Sequence, residues 1–452
     1  MSSGIYNIGI SALQTAQIGL TTAWHNIANA NTDGYNRQRV LQASSIANRT
    51  GVGYIGTGVR VTTVERIYDS FLSRQVSSAQ TSVSALETYA SMLSELNTLL
   101  ADEDAGLESA LEGFFTGISQ VNADPSSRVT RQTLVSNAQS LVSRFKTLSN
   151  QLDEQYQSVN GQIRGYVDSI NSYGQRIAKV NQQIMDAELL TGQQPNDLYD
   201  QRDQLLAELN KLIGVQTSTN SNGTLNVIFG NGQPLVVGMT ATPLTTMVSS
   251  GNYGRMSVGI VNGGRAQELP ESLISGGALS GILQYRSESL DTVANSLGQI
   301  AASIALTFNA QHALGQDLLG NIAGEAGFVA DFFKLSNPTV VPSTNNPAST
   351  ATVTAEFLPP SQNADGTFFT NLTTSDYRLR YDGTNYTLTR LSDNVSWSSS
   401  TSIADLNDVI KNSAQGSQGF SLAESGGLVS GSTYLIQPTR NAARDIAVNP
   451  SI

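Results

Sequence analysis

The sequence predicts an elongated, multi-domain α+β protein, in which a long α-helical coiled-coil or bundle domain carries inserted β-rich domains. Three observations lead there. Val159, Ile163, Tyr166, Ile170, Tyr173, Ile177, Val180, Ile184 and Ala187 alternate steps of four and three without a slip, the period of a helix with one covered seam. Elsewhere the period shortens to two around turn pairs such as Asn222-Gly223 and Asp382-Gly383, which marks hairpins. The chain has 452 residues, room for several domains of roughly 100 to 200 residues each.

Composition removes whole classes of function. The formal charge is −11 and no Lys/Arg cluster occurs, so neither a nucleic acid nor an anionic membrane surface is an expected partner. There is no cysteine, and His25 and His312 cannot form a His-rich site by themselves. No nucleophile stands beside a base and no carboxylate pair has a convincing context, so no catalytic, cofactor-binding or metal-binding residue is assigned and no cofactor is expected. The opening MSSGIYNIGISALQTAQIGL lacks a basic leader and an unbroken apolar run. It reads as neither a cleavable signal peptide nor a membrane insertion, so a secreted protein with this start leaves by another route.

The first helix places Ile5, Ile8, Ala12, Ala16, Leu20, Ala23 and Ile27 on one side, and the turn-prone run Asn29-Ala30-Asn31-Thr32-Asp33-Gly34 follows it. No sequence neighbour covers that stripe, so its partner is a helix elsewhere in the chain or in another subunit, unless it docks on its own domain. Asn and Gly after a helix suit a C-cap and a left-handed turn. The segment SALQTAQIGLTTAWHNIANANTDGYNRQ, with Asn26, Asn29, Asn31, Gly34 and Tyr35 in its core, resembles the N-terminal signature of the flagellar rod, hook and hook-associated axial proteins. That resemblance implies that the stripe packs between subunits in the inner tube of an axial structure. His25, inside the signature, reads as a packing or hydrogen-bonding residue.

Residues 51–56 match GxGxxG, but Thr57 to Val64 alternates as a strand where a dinucleotide fingerprint needs a helix. Turn or bulge glycines explain it better. The surrounding segment resembles the second signature of the same family, with Arg66, Asp69 and Leu72 opening a helix. Helical spacing runs from Ser70 to Leu100, breaks at Asp102 to Gly106, and resumes from Leu107 until Asp124-Pro125 ends it. The seam helix is expected from near Thr133 to near Leu190, on the order of 85 Å long and rod-shaped. Gly161, Gly165 and Gly174 cost it about 2.5 to 3 kcal/mol of propensity, less than its seam residues return at roughly 1.5 to 3 kcal/mol each once covered. Asn196 or Asp197 is expected to cap a further helix ending near Gly214, whose Asp200, Arg202 and Asp203 read as a solvated face with local ion pairs.

Strands are expected between Val215 and Pro270, then a return helix from Leu279 to Phe308 that packs on the seam and ends near His312, which suits a helix C-terminus. Residues 196–215 and the return helix resemble the hook-and-filament junction members of the family. Pro338 to Gly366 reads as loops and short strands, and Tyr377 to Thr389 as a hairpin. The final segment resembles the last strands of an outer β domain. The family pattern closes with a long C-terminal helix, which is expected to be absent from this chain, leaving residues 1–30 without that partner.

The expected organisation is an axial helix at 1–35, a helical rod domain at 36–215 with a β turn segment near 51–65, a small β subdomain at 216–275, the return helix at 276–320, an outer β domain at 325–440, and the start of a return to the rod at 441–452. The resemblance implies a structural adaptor between flagellar hook and filament, secreted and extracellular, that self-assembles in the flagellum. Its implied partners are the flagellar hook protein, a second hook-associated junction protein, an export chaperone and the type III export apparatus. A secreted coiled-coil adhesin or effector is the alternative, supported by composition and by no motif.

Overall fold

The computed structural model describes residues 2–51, 53–100 and 106–452. α1 (Ser2–Ala28) is followed by β1 (Gln38–Ser44), the small hairpin β2 (Asn48–Thr50) and β3 (Gly53–Ile55), and β4 (Val59–Arg66). β1 pairs antiparallel with β4, Gln38 opposite Arg66, across a bulge at Leu41/Gln42. The GxGxxG run therefore lies in hairpin and turn, with a strand after it as its alternation predicts; Val52 falls outside the described residues.

Four helices come next: α2 (Ser70–Leu100), α3 (Leu107–Ala123), α4 (Arg128–Thr191) and α5 (Asn196–Leu212). The Asp69 carboxylate caps α2, accepting the N–H groups of Phe71 and Leu72 at 2.9 and 3.1 Å. The expected break after α2 falls, apart from Gly106, outside the described residues. α4 starts earlier than its apolar period indicates, because Ser127 Oγ accepts the Thr130 N–H at 3.4 Å and caps it. The expected cap of α5 is corrected. Pro195 holds that position, while Asn196 is already helical and donates through Nδ2 to Val64 O at 2.8 Å.

β5 (Val215–Thr219), β6 (Leu225–Phe229), β7 (Gln233–Val237) and β8 (Thr240–Ala241) form a sheet in chain order, turned at the Asn-Gly pairs as read. β9 (Leu244–Ser249), β10 (Asn252–Asn262) and β11 (Arg265–Glu268) form a second sheet. The return helix is not uniform: α6 (Gly277–Gln284) passes through a π-helical stretch at Tyr285–Leu290 into α7 (Asp291–His312). The wider π turn lets two consecutive bulky side chains, Tyr285 and Arg286, both face inward, and Arg286 Nη1 donates to Met256 O at 2.8 Å.

Beyond α7 come β12 (Phe333–Lys334), β13 (Thr339–Pro342), β14 (Thr352–Phe357), β15 (Ser361–Gln362), β16 (Phe368–Phe369), β17 (Tyr377–Tyr381), β18 (Tyr386–Arg390) and β19 (Ser396–Ser399). α8 (Ile403–Lys411), β20 (Phe420–Ser425), β21 (Thr433–Gln437), α9 (Ala442–Asp445) and β22 (Ala447–Val448) complete the chain. The main sheet runs β13-β21-β17-β18-β19, and β14 pairs with β20.

The chain forms two compact units: residues 1–89, 163–246 and 258–282, and residues 90–162, 247–257 and 283–452. In the first, Ile163, Val167, Ile170, Ile177, Val180 and Ile184 of α4 are buried. Tyr166 and Tyr173 of the expected seam are only half-buried, and Val167 and Gly174, one residue on, take the covered positions. Strands cover this face where a helix was expected: a Cβ at Gly174 would sit 3.8 Å from both Leu235 and Val236.

Asparagines interrupt the apolar run for the same reason. Asn171 accepts the Leu244 N–H and donates to the Leu244 carbonyl, at 2.8 and 2.9 Å. Asn181 does the same for Leu225, at 3.1 and 2.8 Å. In the second unit, Asn160 of α4 serves Met256 N and Gly254 O, at 3.0 and 3.1 Å. The three are about three helical turns apart, and each satisfies strand backbone groups that would otherwise be unpaired.

The second unit has a β core of Tyr377, Leu379, Leu388, Trp397, Leu406 and Ile436, among others. Phe114 of α3, Phe308 of α7 and Phe333 of β12 meet with ring centroids 5.3 to 5.7 Å apart. α7 meets α4 through Tyr156, whose hydroxyl donates to Asp291 at 2.6 Å.

Candidate functional site

α1 is amphipathic the wrong way round for a helix that docks on its own chain. The covered residues are polar: Thr15 is buried, and Ser11, Thr22, His25 and Asn26 are half-buried. The stripe Ile5, Ile8, Ala12, Ala16, Leu20, Ala23 and Ile27 is exposed along its length. Tyr6, Leu13 and Trp24 widen it, at 72%, 72% and 68% exposure. Phe71, Leu72 and Val76, in the first turns of α2, are bare as well. The hydrophobic effect favours removing such surface from water, so this side of the helix is built to be covered.

Short polar contacts hold the helix in this orientation. Asn26 is the hinge pin of the signature: Nδ2 donates to Gln38 O at 2.9 Å, and Oδ1 accepts both Gln38 N–H and the Tyr35 hydroxyl at 2.8 Å. Asn29 Nδ2 donates to the His25 carbonyl at 3.0 Å. Gly34 turns the chain at φ +80°, where a Cβ would also collide with the Gln204 side chain at 2.6 Å. Asn31 lies on the exposed outside of the turn. His25 sits 3.3 Å from Asp197 through Nε2 and edge-on to Tyr35, which is a packing and hydrogen-bonding position.

The turn is bolted to α5 by residues that no local pattern reveals. Asn36 gives its backbone N–H and its Nδ2 to the two oxygens of Asp200, at 2.9 and 2.7 Å. Arg66 Nη1 bridges Asp200 and Asp203, at 2.9 and 2.6 Å, and Arg66 Cζ lies 4.3 Å from the Tyr68 ring centroid. The solvated face expected at Asp200, Arg202 and Asp203 is therefore corrected. Asp200 and Arg202 are buried, and the cation that pairs with the carboxylates comes from the end of β4. Burial pushes the Asp203 carboxyl above its ordinary value, more than Arg66 pulls it back. Burial opposes the Arg66 cation too, but Asp203 and Asp200 together hold it more firmly protonated than usual. Arg202 turns away to Asn181 Oδ1 and Gly223 O, at 3.3 and 2.9 Å.

His312 does not cap α7. Its Nδ1 is 2.9 Å from Ala330 O and its ring stacks with Phe328, so the aromatic cluster claims it before the helix carbonyls can. Among the described residues no group of three or more His, Cys, Asp or Glu is placed to hold a metal ion, and no helix is long and apolar enough to cross a membrane.

Residues 93–328 match the helical domain of the flagellar hook-associated protein FlgK, and residues 342–421 match the D2-like domain of flagellar hook-associated protein 1. Flagellar hook-associated protein 1 of Salmonella typhimurium is 35% identical over 448 residues, covering 99% of this chain and 77% of that protein. The Escherichia coli protein of that name is 36% identical over 397 residues, covering 87% of this chain and 70% of its own length. The solved flagellar hook junction protein FlgK from Burkholderia pseudomallei superposes with a TM-score of 0.71 at 34% identity, over 83% of this chain and 64% of that one. These matches give no support to an adhesin or effector, and they are to structural proteins of the flagellum, not to an enzyme family. With the Asn26 to Tyr35 signature folded as a turn behind a bare-sided helix, and relatives at this identity along almost its whole length, the chain belongs to the flagellar hook-associated protein 1 family.

Proposed function

We propose that this chain is a structural adaptor joining the flagellar hook to the filament, without enzymatic activity, and that copies of it assemble through the apolar side of α1. The observation that carries this reading is the orientation of α1, which spends its polar side on its own chain and leaves Ile5, Leu13, Leu20, Trp24 and Ile27 uncovered. In this reading residues 1–35 are the axial segment, 36–215 and 276–320 the helical domain, 216–275 the small β subdomain, and 325–440 the outer β domain, with 441–452 turning back towards the helices. The partners are the hook protein on one side and a second hook-associated protein on the other. The chain reaches them with an export chaperone through the type III export apparatus, without a cleavable signal peptide.

The test is electron microscopy of the source bacterium with this gene deleted, together with an assay for flagellin in the medium. Bare hooks and shed flagellin monomer are expected. Intact filaments on the deleted strain would overturn the reading, and cell-wall cleavage by the purified protein would overturn its non-enzymatic part.

A further inference from the structure

Arg440 follows β21 by three residues and is buried among carboxylates supplied by separate stretches of chain. Its Nη1 donates to Asp291 at 2.6 Å and its Nη2 to Asp376 at 2.8 Å. Its Nε donates to Asn295 Oδ1 at 2.7 Å, and its Nη1 also meets the Tyr156 hydroxyl. Asp291 is bound on its other oxygen by Arg255 of β10.

The placement follows from the fold. β21 lies beside β17 with Tyr377 opposite Ile436, so Asp376 and Gln437 meet at one end of the sheet, 3.1 Å apart through Oδ2 and Nε2. Asp291 and Asn295 are four residues apart on α7 and share a face. One turn further on, Gly298 lets the chain come close: a Cβ there would stand 1.8 Å from Thr439 O. Asn295 completes the ring by donating to Asp376 Oδ1 at 3.1 Å and to Thr374 O at 3.0 Å.

We propose that Arg440 is a lock that makes the β module, residues 333 to 437, and the helices it sits on (α7 and the Tyr156 region of α4) open and close as one cooperative unit. Each partner alone is a buried charge or polar group without enough hydrogen bonds, and the set is satisfied only when sheet and helices are both formed and in register. A partly docked module leaves Asp376 or Asp291 uncompensated, so intermediates with one part open are strongly disfavoured. Because the ring is buried, added salt does little to loosen it.

Hydrogen exchange on the full chain, followed peptide by peptide, reads this directly. In the unmodified protein the slowest amides of β17, β21 and α7 exchange at a common rate. Arg440→Met is expected to speed exchange in β17 and β21 at least tenfold while α7 changes less than threefold; the half-exposed Arg444→Met, as control, moves neither. Should Arg440→Met fail to fold, Arg440→Lys, which keeps the charge but not the fork, is expected to show the same separation in smaller degree. Equal acceleration of sheet and helix in either variant, no acceleration, or unequal rates in the unmodified protein would overturn the proposal.

Discussion

α1 and the β module solve the same problem in opposite ways. The module turns Tyr377, Leu379, Leu388, Trp397, Leu406 and Ile436 into a common core within its own chain. α1 does the reverse, burying Thr15 while leaving Leu13, Leu20 and Trp24 bare. The module satisfies its apolar residues internally, whereas the apolar side of α1 is left for another surface to cover. Apolar substitutions should therefore affect stability in the module and assembly in α1.

The largest expected loss of stability is in the module. Leu388→Ala should cost about 2 to 5 kcal/mol in denaturant unfolding, the range for a fully buried leucine. Asn181→Ala should come next, at about 1 to 3 kcal/mol, because it strands the Leu225 backbone groups. Leu13→Gln and Leu20→Gln should each stay within about 0.5 kcal/mol, since both positions are exposed and glutamine is nearly as good a helix former. A destabilisation at Leu20 as large as that at Leu388 would break the comparison.

The two charge clusters differ in sign, and pH sharpens that difference. Burial works to raise the Asp291 carboxyl, but Arg255 and Arg440, with the Tyr156 hydroxyl, pull it below its ordinary value. Its contribution to stability is complete above the unfolded carboxylate value of about 3.9 and is lost only as pH falls through its lower folded value. Asp203 behaves oppositely. Its folded value is raised, so the region around it gains stability as pH falls through that value towards about 3.9. From neutral to mildly acid pH, amide protection relative to the intrinsic exchange rate at each pH should rise around 200–203 and hold steady around 291–295, and Asp203→Asn should abolish the rise.

What was legible in the sequence was local. The α+β class, the span of α2, the stop of α3 at Asp124-Pro125 and the Asn-Gly hairpins follow from period, caps and turn residues, which act within a few positions. The apolar stripe of α1 is legible too, but its width is not, because Tyr6, Leu13 and Trp24 fall between its steps of three and four. Asp200 and Asp203 read as solvated because their partner, Arg66, is 134 and 137 residues away. The roles of Asn160, Asn171 and Asn181 in α4 are not legible, since nothing near them in sequence shows that strand backbones need them. Arg440, with partners in three other segments, carries no local mark at all. The π-helical stretch at Tyr285 is invisible for a similar reason, as only tertiary packing decides which of two adjacent bulky residues turns inward.

The measurement that bears most directly on the account is complementation of the deleted strain with Leu13→Asp/Leu20→Asp. Hooks would be imaged, the protein in the medium quantified, and its fold checked by amide exchange in residues 353–436. Protein exported and folded, hooks bare and flagellin shed are expected; filaments as numerous as with the unmodified chain would show that the apolar side of α1 is not needed for assembly.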